Sequence, residues 1–141
     1  MTVYLEVEMF PFSDVNWIAV LLGTVLSMAL GALWYGPLFG QLWLKLIGKT
    51  EDELESEPII YIKTALAAFI AMLFLNLAIV AFDAIGFISG ALVAGLLFIG
   101  FGGAATFVYT TFEGPSEKVW LLFGAYQLVL YLIMGGVFAI W

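Results

Sequence analysis

The sequence predicts an all-α fold: an integral membrane four-helix bundle with a short interfacial amphipathic helix between spans 1 and 2. Three observations lead there. The 141 residues are 65% hydrophobic and 11% charged, against about 45–50% and about 25% in soluble domains. A chain this short has too little interior to hide the excess, so that surface must face lipid. Four apolar runs, at about residues 15–36, 59–82, 88–112 and 119–141, are long enough to cross roughly 30 Å of hydrocarbon. Trp and Tyr collect at the ends of these runs, where amphipathic rings prefer the headgroup level.

Composition removes many functions. The net charge is −7, with 4 basic and 11 acidic residues, so no nucleic-acid partner is expected; phosphate binding needs clustered Lys and Arg. There is no Cys and no His. Thiolate or imidazole nucleophiles and Cys or His metal sites are therefore absent, and no cofactor is expected. Residues 1–14 lack the basic region of a secretory signal, so the first apolar run is expected to stay in the mature protein. The chain reads as one membrane domain, residues 1–141.

Residues 1–14 form an N-terminal arm. Residues 1–12 carry the apolar-polar alternation of an extended segment, which Pro11 stops. Span one follows, with Ser13 or Asp14 as the expected N-cap. Trp17 marks one interface; Trp34 and Tyr35 mark the other. Ala19, Gly23, Ser27 and Gly31 recur every four residues, a groove of small side chains that lets a second backbone approach closely. Residues 37–48 are too short and too polar to span. Leu38, Phe39, Leu42, Trp43, Leu46 and Ile47 fall on one face, as in a helix lying in the interface, and Gly48 is its expected C-cap. The loop at 50–57 holds five acids in the seven residues EDELESE, and Thr50 with Glu53 fits a capping box.

Pro58 stands just before span two, where its missing N–H costs least. Asn76 is the polar residue inside that span. Span three is rich in glycine. Gly90 and Ala94 have small-xxx-small spacing, and Gly100, Gly102 and Gly103 predict a bend or a close neighbour in mid-span. In span four Gly124, Gln127, Tyr131 and Gly135 share a face that should point inward, because a glutamine in lipid is costly. Trp120 and Trp141 bracket it, and Trp43 is a further anchor after span one. Lys45, Lys49, Lys63 and Lys118 all lie on the connections after spans one and three. The positive-inside rule then predicts both termini outside, with residues 37–58 and 113–118 cytoplasmic.

With these residues placed, the chain resembles a prokaryotic family of small four-span membrane proteins known only as a domain of unknown function. The resemblance rests on Asn16-Trp17, on the run Gly31 to Gly40 (GALWYGPLFG), on Trp43, on Phe112-Glu113-Gly114 and on Gly124-Ala125-Tyr126. It covers most of residues 15–141; residues 1–12 look like an addition. Pro115 stands where the family would have a basic residue. The resemblance implies four spans and brings no activity with it.

The polar residues within the bilayer are Asn16, Ser27, Asn76, Thr106, Gln127 and Tyr131. They are candidates for a ligand path or for helix-to-helix hydrogen bonds. A transporter with a path between copies is one expectation, although residues 15–36 hold no acid of the kind small multidrug transporters place in their first span. The other is a protein that is not an enzyme and that acts by helix association in the cell membrane. Its partners would be membrane lipid and either further copies of itself or the other subunits of a membrane complex.

Overall fold

A computed structural model of the chain describes residues 12–114 and 116–141. Of the extended arm expected over residues 1–14, residues 1–11 lie outside the described residues, as does Pro115, and Phe12–Asp14 form a 3₁₀ turn instead. The described residues form six α-helices in order: α1 (Trp17–Leu33), α2 (Gly40–Ile47), α3 (Pro58–Ala81), α4 (Phe87–Leu97), α5 (Ala104–Phe112) and α6 (Glu117–Ile140). There is no strand among the described residues. Four stretches are long and apolar enough to cross a membrane: Trp17–Leu38, Pro58–Ala81, Phe87–Phe112 and Glu117–Ile140. The protein is a four-span helical bundle.

Spans one and three are not uniform α-helices. Span one ends in a wide π-turn, Trp34–Leu38, broken at Gly36 (φ −102°, ψ −108°) just before Pro37. Proline has no N–H to continue the ladder, and the Phe39 amide reaches back to the Trp34 carbonyl at 2.9 Å instead. Span three is split by a π-segment at Phe98–Gly103, between α4 and α5. Gly100, Gly102 and Gly103, the three glycines expected to mark a bend or a close neighbour, all lie in this π-segment.

The N-cap of α1 is Asn16, not Ser13 or Asp14. Residues Phe12–Asp14 are taken up in a 3₁₀ turn, and Val15 is drawn into the core. The helix therefore starts later, where Asn16 Oδ1 accepts from the Ala19 amide at 3.0 Å. The apolar face of α2 also differs from the expected stripe. Leu44 and Gly40 are its buried residues, whereas Leu38 and Leu42 are exposed. The helix turns toward the bundle, and its former stripe is divided between protein and surroundings. Gly48 ends it in the left-handed region (φ 68°), which glycine adopts without the penalty a side chain carries, and Lys49 N–H closes on the Leu44 carbonyl at 3.1 Å.

Helix α6 touches all five other helices, and α1 pairs with α3. Met72, Met134, Val20 and Asn76 are the largest fully buried side chains. The closest approach is α4 on α6: a Cβ at Gly90 would run into the Gly135 carbonyl and the Ala139 methyl. The core is concentrated in the half of the bundle that holds the start of α1 and the end of α6. At the other end, where all four lysines lie, the packing opens. No residue from 58 to 70 is buried, and in α5 only Thr106 and Thr110 are even half-buried.

Candidate functional site

The intramembrane polar residues fall into separate places, and most complete the helix framework. At the well-packed end, the Asn16 backbone N–H donates to Asn76 Oδ1 at 3.2 Å. Asn76 is 2% exposed. Span two thus supplies an acceptor to an amide at the start of span one, which has no partner inside its own helix. Ser27 is buried, and its Oγ donates to the Gly23 carbonyl at 2.7 Å. The small face of α1 is occupied within the chain. A Cβ at Gly23 would stand 2.8 Å from the Met134 methyl and 3.2 Å from Met72 Sδ. Ala19 is buried beside it. Ala94 is buried against Gly135 at the α4–α6 crossing. Tyr131 stacks on Phe98 with 5.4 Å between ring centroids.

At the lysine end an aromatic knot joins span one to span four. Trp34 meets Phe39 at 4.6 Å and Tyr126 at 6.1 Å between centroids, and Tyr35 meets Trp43 at 5.3 Å and Tyr126 at 5.8 Å. The Tyr126 hydroxyl donates to the Ser27 carbonyl at 3.0 Å. A Cβ at Gly31 would come within 3.3 Å of that hydroxyl oxygen. The Trp34 indole Nε1 is buried and has no acceptor among the described residues. Trp34, Tyr35 and Trp43, expected as interface anchors, are therefore half-buried in ring contacts; Trp17 and Trp141 remain exposed. Tyr126 is the residue that sequence reasoning left out of the site. Its pairing with residues nearly a hundred positions earlier has no local signal.

Trp120 also turns inward. Its Nε1–H donates to Thr106 Oγ1 at 3.1 Å, and its ring meets Phe107 edge-on at 4.9 Å. The Thr106 hydroxyl in turn donates to the Gly102 carbonyl at 2.8 Å. Between this contact and Phe98, α5 and α6 part to leave an apolar groove of about 470 Å³, walled by Gly103, Ala104, Gly124 and Ala125. Gly124 was expected to pack against a helix, but nothing stands within 4 Å of a Cβ built there. Gln127, half-buried nearby, makes no side-chain hydrogen bond among the described residues.

Outside the spans, the acidic loop folds its start into a 3₁₀ turn, Glu51–Glu53. The Thr50 amide donates to Glu53 Oε2 at 2.9 Å. That bond, then the Thr50 side chain and the Lys49 charge, hold the Glu53 carboxyl below the usual carboxylate range. Among the described residues no group of three acids could hold a metal ion.

Residues 18–139 match the family described as protein of unknown function (DUF1761). The chain belongs to that family. No curated protein and no solved structure matches it. The match takes in both arms of the aromatic knot. In this DUF1761 chain the run Gly31 to Gly40 and the triplet Gly124-Ala125-Tyr126, far apart in sequence, meet through Tyr126.

Proposed function

We propose that the protein is not an enzyme and acts by lateral helix association in the cell membrane, as a homo-oligomer or as an accessory subunit of a membrane complex. The observation that carries this reading is the unpacked lysine end. Residues 58–70 of α3 include no buried position, and α5 is exposed on nearly every side. Gln127, half-buried in α6, makes no side-chain hydrogen bond among the described residues, and an amide in hydrocarbon gains from an interhelical hydrogen bond. The single copy offers no continuous polar interior; Met72, Met134 and Val20 fill its centre.

The lysine distribution supports an orientation with both termini outside and the connections around α2 and after α5 cytoplasmic. A path between copies is the second reading, favoured by Gln127 and Thr110 lying in the same open half. The test is the oligomeric state in lipid nanodiscs, read by native mass spectrometry, for the wild type and Gln127→Leu. Association predicts an assembly of more than one chain, weakened by the substitution. A monomer that also copurifies with no other membrane protein overturns it. If the assembly persists in Gln127→Leu while solute flux into vesicles is lost, the path between copies gains.

A further inference from the structure

The groove between α5 and α6 has a depth and an orientation that select its occupant. It begins at Trp120 and Phe107 and ends at Phe98 and Leu128. From Lys118 to Leu128 the helix rises about 15 Å, half of the roughly 30 Å hydrocarbon core. The groove therefore runs from headgroup level to the bilayer midplane, the depth of one leaflet. Beyond Phe98 it is shut, because Phe98 stacks on Tyr131, Gly95 lies against Leu132, and Gly90 meets Gly135. A transmembrane helix would need a channel that continued past this point. An acyl chain does not.

The groove's lining is almost wholly apolar, and the Trp120 indole N–H, the polar side-chain group among its described lining residues, is satisfied by Thr106. At the head end Lys118 makes no ion pair among the described residues, and a lysine at this depth reaches toward headgroup phosphate. Glu113 and Glu117 stand near it in sequence, so the charges there suit a zwitterionic head better than a purely anionic one.

We propose that this groove holds one acyl chain of a zwitterionic phospholipid from the leaflet at the lysine end, with its phosphate beside Lys118. The inference stands apart from the association reading: it concerns one copy and a lipid, and its readout does not depend on oligomeric state.

The test uses the full chain in vesicles containing phosphatidylethanolamine that carries a diazirine in its acyl chain. After photolysis, labelled peptides are mapped by mass spectrometry. Label is expected to concentrate on residues 98–107 and 120–128, and to fall several-fold in Gly124→Leu, whose new side chain enters open space and fills the groove. Ala104→Leu fills it from the other wall and should have the same effect, which keeps the test decisive if one variant fails to fold. Helicity by circular dichroism should stay unchanged in the variant that is scored. Label spread evenly over all spans, or unchanged in both variants, overturns the proposal. So does disulfide formation between copies at cysteines placed at Ala104 and Ala125 with the groove unlabelled, which would assign the groove to a second copy.

Discussion

At Asn76 one side chain joins two spans. Its Oδ1 accepts the Asn16 amide at 3.2 Å, and the Asn76 side chain itself is almost wholly buried. Asn76→Leu leaves that donor unpaired, and the expected cost is about 1–3 kcal/mol, seen as a lower unfolding midpoint in detergent. Tyr126→Phe keeps the ring in the aromatic knot and removes only the bond to the Ser27 carbonyl, so its cost should be smaller, about 0.5–1.5 kcal/mol. Equal losses in the two variants would contradict the burial argument. Glu53 gives a residue-scale prediction in pH. Hydrogen bonds from Thr50 lower its folded carboxyl pKa. A depressed acid favours the folded turn above the unfolded pKa, and that contribution is lost as pH falls through the folded value. The Glu53 side-chain carbon should titrate by NMR below the ordinary carboxylate range, and the Thr50 amide shift should follow it. Titration at the ordinary value would show that the turn does not hold the carboxylate. The polar identity of these residues was legible in the sequence, but their partners were not. Asn76 and Asn16 are sixty positions apart, and nothing in local spacing says which of the possible acceptors will face an unpaired amide.

The same limit applies to whole elements. Long apolar runs declare spans because crossing the hydrocarbon demands length and composition, both of which are read directly. Small residues at helical spacing declare less: they say a backbone could come close, and not whether one does. Gly90 and Gly124 look alike in sequence. In the fold, Gly90 is pressed against the Gly135 carbonyl, while Gly124 faces open space. The two glycines face different parts of span three: Gly90 belongs to α4, which lies along α6 before the π-segment at Phe98–Gly103, whereas beyond it α5 meets α6 through Trp120 and leaves Gly124 uncovered. Gly90→Ala should therefore cost about 1–3 kcal/mol through overpacking against rigid backbone. Gly124→Ala should change stability by no more than about 0.5 kcal/mol. Thermal unfolding of the two variants in the same detergent decides it; a costly Gly124→Ala would mean that α5 closes on α6. The cap of α1 shows how local structure defeats a sound local rule. Asp14 is a good capping residue, but it is held in the turn Phe12–Asp14, and the role passes to Asn16.

Across the whole molecule, firmness and charge are divided between opposite ends. The end with the Asn16–Asn76 bond and the Gly90–Gly135 crossing is packed, whereas the end with Lys45, Lys49, Lys63 and Lys118 is splayed and lined by aromatic rings. Antiparallel spans require these four lysines to share one side of the membrane whichever way the protein is inserted. The positive-inside rule then chooses the way, because the other side carries no lysine or arginine at all. The absence of native cysteine makes the choice testable without a background to remove. In intact cells, Thr2→Cys is expected to react with a membrane-impermeant maleimide and Leu54→Cys to be protected until the cells are opened. The reverse pattern would turn the molecule over and put the splayed end, with the groove beside Lys118, against the outer leaflet. The groove would still span the depth of one leaflet after that inversion, but the splayed end could no longer meet a cytoplasmic partner.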